Sequence, residues 1–338
     1  MIRPEIGGYR FSAASDNASI CGMRALTLNR TLEFKRDYPE PLRAPGESVV
    51  RVRIAGICGT DLELVRGYMT FNGVPGHEFV GEVAESARRD LLGRRVVGEI
   101  NAACGNCDWC ARGLGRHCAG RTVLGILGRD GAFAEYLRLP DENLLEVPAS
   151  VPDEAAVFVE PIAAAYEIFE QMTLRGNETV VVLGDGRLGA IVAMALAAEG
   201  GQPVVAGHHR DKLAALEAIG LSARMEADLA PGFDVVVDCT GAPAGFGRAI
   251  ELVKPRGTLI LKSTAANAAN LNLAPVVVNE ITVIGSRCGR FAPAIAALAD
   301  GKIDPRPLIS AVYPLEDGFA AFARAAEPSV FKILMRVS

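Results

Sequence analysis

Residues Thr179-Val-Val-Val-Leu183 form a continuous apolar run, followed at once by Gly184-Asp-Gly186-Arg-Leu-Gly189 and by the alanine-rich stretch Ala190–Ala198. The run predicts a strand buried on both faces, and the alanine-rich stretch predicts a helix. The glycines between them let the backbone approach a pyrophosphate, and the helix N-terminus faces its charge. A lone G-x-G-x-x-G is weak evidence, but here further β/α units follow. They are strand Pro203–Ala206, helix Asp211–Ile219, strand Asp234–Asp238, helix Phe246–Leu252 and strands Gly257–Leu261 and Glu280–Gly285. Alternation of this kind predicts a parallel, doubly wound sheet with right-handed crossovers. Gly184, Gly186, Arg187, Leu188 and Gly189 are the expected pyrophosphate contacts. Thr240, Gly285 and Ser286, at later strand ends, are expected near the nicotinamide.

The second strand carries the next clue. Proteins that bind NAD(H) end this strand in an Asp or Glu that holds the ribose 2′-hydroxyl. Here Gly207, His208, His209 and Arg210 follow the strand, and no acid stands before Asp211. An arginine can fork onto phosphate oxygens, with His208 or His209 adding a donor. The turn therefore predicts NADP(H) over NAD(H), with Arg210 as main determinant. A merely solvated basic turn would leave NAD(H) as cofactor.

The first half of the chain has a different texture. From Met23 to about Pro148 it is strand-rich and broken by glycine and proline, at Ser48–Ile54, Phe79–Val83, Arg95–Glu99 and Ala132–Leu139. Long crossover helices are missing, so an irregular β domain is expected. Cys104, Cys107, Cys110 and Cys118 stand in the spacing C-x2-C-x2-C-x7-C, which brings four thiolates round one tetrahedral ion and leaves no position for substrate. That reads as a structural zinc site, with an iron–sulfur cluster as the competing use of such a run. His117 adjoins the last thiol as a bystander.

A second metal site is assembled from scattered residues. Ser48–Ile54 alternates like a half-buried strand, and Gly56 and Gly59 bracket Cys58 where that strand ends. Cys58, Thr60, His77 and Glu78 supply a thiol, a hydroxyl, an imidazole and a carboxylate, the parts of an open zinc site that handles an alcohol. Read separately, they are a buried structural cysteine and an unrelated histidine. Glu160-Pro161 opens a helical stretch, Ile162–Met172. Proline suits a first helical turn, so Glu160 reads either as a cap or as a further ligand of that zinc.

At 338 residues the chain is too long for one ordinary core. Its net charge of −5 gives no electrostatic reason to expect nucleic acid or an anionic membrane. No apolar run reaches the roughly 18 residues that span a bilayer. Residues 1–22 lack the apolar core of a secretory signal and read as a loose N-terminal extension. With clustered cysteines and no such signal, a cytoplasmic, reducing compartment is expected.

Together, Gly56–Asp61, Gly76-His77-Glu78, the cysteine lobe, Glu160-Pro161 and the glycine turn resemble the zinc-dependent alcohol dehydrogenases of the medium-chain dehydrogenase/reductase family. The resemblance covers roughly Met23 to Ser338. It implies an α/β protein: a Rossmann doubly wound parallel sheet at 156–289, and a GroES-like irregular β domain at 23–155 and 290–338 with its zinc lobe at 104–118. It further implies that the active site lies in the cleft between these domains, and that Cys58 and His77 hold a catalytic zinc, the first of two zinc ions per chain. Thr60 passes the substrate proton, and Glu78 is a carboxylate able to move onto the metal. Glu160 stands where liver-type members have a cysteine, which points to the polyol, sugar and threonine dehydrogenase branch. The relay histidine of some members falls at Glu63, leaving water or Glu63 as the proton exit. The implied partners are a small alcohol or carbonyl substrate and further copies of the chain, as a homodimer or homotetramer. The rival readings are a zinc-independent quinone or enone reductase on the same scaffold and a cofactor-binding protein without turnover.

Overall fold

The computed structural model describes residues 11–12, 22–264 and 272–338. The expected extension, residues 1–22, lies outside this range apart from a two-residue strand, Phe11–Ser12, and Gly22. The chain divides into two compact units, one reaching Glu160 and resuming at Leu308–Ser338, the other running from Pro161 to Pro307.

In the second unit, Val180–Leu183 is buried along its whole length. It pairs in parallel with Pro203–Gly207 on one side and Phe233–Asp238 on the other. Ser222–Met225 extends the first side, and Val253–Leu261 followed by Thr282–Gly285 extends the second. Numbered along the chain, the six strands lie in the order 3-2-1-4-5-6. Ligands bind such sheets at the carboxyl ends of the strands, where the order reverses. The short strand Ser222–Met225 was not legible in the sequence, because its burial is only partial and its pattern mixed. Val181, Leu183, Val236, Leu252 and Leu259 pack into one core on a face of this sheet. Each such side chain contributes about 1.5–3 kcal/mol when buried.

The first unit is built round Glu47–Ile57, an eleven-residue strand. Glu78–Glu85 pairs with one of its edges. Its other edge is shared. Tyr136–Pro140 pairs with the stretch from Glu47 to Arg51, and Lys332–Arg336 with the stretch from Ile54 to Ile57. The strand was expected to be half-buried and to stop near Ile54. Instead Ile54 to Ile57 are all buried, because strands flank both edges and side chains cover both faces. The final strand thus closes against the first unit, antiparallel to a segment more than 270 residues earlier. The helix near the end is Gly318–Ala325, and its buried stripe is Gly318, Ala321, Phe322 and Ala325. Leu315 is buried in the turn before it, while Phe319 and Ala326 are only half-buried.

Candidate active site and metal centres

In the cysteine lobe the four sulfurs face one another. Cys104 to Cys118 is 3.4 Å, Cys107 to Cys110 3.5 Å, Cys107 to Cys118 3.6 Å and Cys104 to Cys110 3.9 Å. Four thiolates at about 2.3 Å from one tetrahedral zinc stand about 3.8 Å apart, whereas a disulfide needs about 2.05 Å. All four sulfurs lie within 4.8 Å of one another, room for a single ion rather than a multi-iron cluster. His117 is exposed and is not part of the group.

The second cluster begins where Glu47–Ile57 ends. Cys58 caps the helix Gly59–Val65, and Asp61, in that helix's first turn, accepts the Cys58 N–H through Oδ2 at 2.8 Å. Asp61 Oδ1 lies 3.3 Å from His77 Nδ1, both deeply buried. Burial alone would disfavour the charged imidazole. The Asp61 carboxylate and the Cys58 sulfur outweigh it, and hold the His77 pKa well above its ordinary value. Cys58, His77 and Glu78 bring their ligand atoms within 4.8 Å of one another. The Cys58 thiol points at the Thr60 hydroxyl at 3.8 Å.

Glu78 sits opposite Gly56 in the sheet, and Leu334 opposes Gly56 from the other side. Its carboxylate crosses over Gly56 to meet Lys332, with both charged groups almost fully buried. A Cβ on residue 56 would lie 2.5 Å from Glu78 Oε2, so a side chain there would push the carboxylate from this position. Lys332 holds Oε2, while Oε1 is buried with no hydrogen-bond partner among the described residues. A buried oxygen left in that state is costly unless something else engages it. Thiolate, imidazole and carboxylate round one point, with that oxygen unanswered, fit a zinc ion of open coordination.

Glu160 is helical, in the first turn of Val159–Gln171, a helix that begins ahead of the expected stretch Ile162–Met172. Its carboxylate is not among the atoms gathered round Cys58, His77 and Glu78. Glu63 lies on the exposed side of its helix and pairs with Arg66 at 2.6 Å. Reasoning from sequence missed Lys332 and gave Asp61 no role. Lys332 had a signal, since a lone lysine among Phe331, Ile333, Leu334 and Met335 needs a buried partner.

In the other unit, Gly184 has φ +112°, and a Cβ there would press on the Cys239 carbonyl at 2.7 Å. Gly186 caps the helix Arg187–Ala198, and a Cβ on Gly189 would strike the Gly184 carbonyl at 1.9 Å. The turn therefore needs glycine at both ends for close strand–helix packing. Thr240 is held by Asp238 Oδ1, which accepts from both its hydroxyl and its N–H. Gly285 ends the last strand, and the Ser286 hydroxyl accepts from buried Lys262 at 3.1 Å. His208 and His209 are already engaged, the first with Glu226 at 2.9 Å and the second with Asp185 at 3.0 Å. Arg210 is exposed at the start of its helix.

Residues 44–149 match the alcohol dehydrogenase GroES-like domain, and residues 188–300 match the zinc-binding dehydrogenase domain. An L-threonine 3-dehydrogenase of Streptomyces coelicolor is 32% identical, over 88% of this chain and 94% of its own. The chain belongs to the zinc-containing alcohol dehydrogenases of the medium-chain dehydrogenase/reductase family. Among solved structures, an alcohol dehydrogenase from E. coli CFT073 complexed with NADH is 25% identical, with TM-score 0.86 over 93% of this chain and 99% of its own. A zinc-binding dehydrogenase from Sinorhizobium meliloti 1021 bound to NADP is 26% identical, with TM-score 0.85 over 93% of this chain and 99% of its own. This dehydrogenase is thus a zinc-dependent oxidoreductase that moves hydride between an alcohol and a nicotinamide cofactor, and its cysteine lobe is the structural zinc site. No helix among the described residues is long and apolar enough to cross a membrane.

Proposed function

We propose that this dehydrogenase acts on a secondary alcohol of the polyol or amino-alcohol class, or on the matching ketone. Cys58, His77 and Glu78 hold its catalytic zinc, with Glu160 as a further carboxylate for the metal or its water. The observation that carries the reading is the convergence of Cys58, His77 and Glu78, with the Thr60 hydroxyl at the Cys58 sulfur. A zinc ion bound there supplies Lewis acidity to the substrate oxygen. Thr60 takes the substrate hydroxyl proton. Asp61 fixes the ring of His77 and the turn at Cys58. Lys332 restrains one oxygen of Glu78 and leaves the other for the ion.

In the nucleotide-binding unit, Gly184, Gly186, Arg187, Leu188 and Gly189 receive the pyrophosphate at the helix N-terminus. Thr240, Gly285 and Ser286 lie at strand ends suited to the nicotinamide. NADP(H) is the favoured cofactor and NAD(H) is accepted. Arg210 carries that preference, because His208 and His209 are paired with carboxylates. A homodimer or homotetramer is supported by the outer edge of Thr282–Gly285, which pairs with no further strand among the described residues, with Val277, Val278 and Val283 exposed on and just before it. A reducing, cytoplasmic setting suits thiols that serve as metal ligands.

The test is a turnover screen of metal-replete protein over alcohols, polyols, sugars and amino-alcohols, each with NAD+ and NADP+. Oxidation of a polyol or amino-alcohol that disappears on removal of zinc is the expected result. Turnover confined to enones or quinones and indifferent to zinc would overturn it.

A further inference from the structure

The second strand ends without an acid of its own, yet a carboxylate stands at that end. Asp185, the second residue of the glycine turn, reaches across to the turn after Pro203–Gly207. Its Oδ2 accepts the backbone N–H groups of His208 and His209, each at 2.8 Å. The Nδ1 of His209 lies 3.0 Å from both carboxylate oxygens and donates to them. Burial works against the ionised form, but the backbone and ring of His209 and the backbone of His208 outweigh it and hold the Asp185 pKa below its ordinary value. Buried Lys212 adds favourable attraction. The side chain is therefore a fixed anion at neutral pH.

Its position explains the glycine beside it. A Cβ on Gly207 would lie 2.2 Å from Asp185 Oδ2 and 2.4 Å from Asp185 Cβ. An acid grown from residue 207 and the side chain of Asp185 cannot share that space. The two are alternative ways to place one carboxylate at the same strand end. An ionised carboxylate has about four acceptor sites. Among the described residues three donors converge on this one, and there Oδ1 receives only a share of the His209 ring proton. It keeps acceptor capacity for a further donor.

We propose that Asp185 reads the ribose 2′ position of the cofactor, accepting a 2′-hydroxyl from NAD(H) and opposing the 2′-phosphate of NADP(H). The proposal rests on the reading of this unit as the nicotinamide dinucleotide site. Asp185 then acts against Arg210, which attracts the same phosphate. Their opposition keeps the preference for NADP(H) shallow and NAD(H) usable.

Affinities measured by calorimetry on the zinc-replete full chain, without substrate or turnover, test this. For wild type, the analogue of NAD+ lacking the adenosine 2′-hydroxyl should bind about 10-fold more weakly than NAD+, the scale of one hydrogen bond to a charged group. Asp185→Asn should shift the Kd ratio of NADP+ to NAD+ about 10-fold toward NADP+. Asp185→Ala combined with Gly207→Asp, which rebuilds the acid from the strand, should return the ratio to the wild-type value or beyond. Equal wild-type affinity for NAD+ and its 2′-deoxy analogue would overturn the proposal whatever the variants do. So would an unchanged ratio in folded Asp185→Asn. Failure of wild type to bind either dinucleotide would instead remove the cofactor reading beneath it.

Discussion

Lys332 and Glu78, 254 positions apart in sequence, form an ion pair that is almost wholly buried beside the candidate catalytic metal site. The ammonium also lies 5.5 Å from the Phe158 ring centre. Removing one partner of such a pair strands a charge in the interior, at about 3–5 kcal/mol. Lys332→Met should therefore lower the midpoint of urea unfolding well below wild type. Adding Glu78→Gln to it should recover part of the loss. A single variant as stable as wild type would mean that Lys332 does not hold the carboxylate.

The two metal sites should separate by function. Elemental analysis of protein purified without chelator should find about two zinc ions per chain. Cys110→Ser should lose one of them and unfold at lower temperature, since structural zinc contributes on the order of 10 kcal/mol in small zinc-folded peptides. Cys58→Ser should lose the other, keep the circular dichroism of the fold and abolish turnover. Reversed effects would invert the assignment.

Glu160 is expected to act on the catalytic metal. Glu160→Ala should weaken zinc retention against a chelator, or lower kcat, by roughly 10- to 100-fold, the range for residues that support a ligand set. Normal zinc content with a normal rate would reduce it to a carboxylate favourable to its helix N-terminus.

Arg210 should carry most of the attraction for a 2′-phosphate. Arg210→Ala should raise the KM for NADP+ by roughly 10-fold or more while leaving that for NAD+ nearly unchanged. A wild type that favours NAD+ tenfold would end that reading.

One acid should report on stability at low pH. Asp234 receives Lys254 and the hydroxyl and N–H of Thr179, and these hold its pKa down at about 2. A carboxyl depressed by folding stabilises the protein above its unfolded value of about 4. That contribution fades as pH falls from there through about 2. Asp234→Asn should thus be less stable than wild type at pH 7, by about 1 kcal/mol for a partly open pair. The difference should close toward pH 2 in thermal melts.

Local pattern alone determined the parts of this protein whose physics is local. The buried run at Val180–Leu183, the glycines that follow and the alternation after them specify a parallel sheet, because strand, turn and helix each leave a short-range periodicity. The spacing of Cys104 to Cys118 likewise specifies a four-thiolate centre, since all its ligands lie within one short lobe. What depends on side chains meeting across the fold was decided by tertiary structure alone. The sheet register sets Glu78 opposite Gly56 and brings Lys332 within reach beyond it. Packing of the glycine turn against the second strand carries Asp185 to a site where the sequence showed only Gly207. A charge can be read from a sequence, but the group that answers it is set by which strands pair, and pairing is long-range.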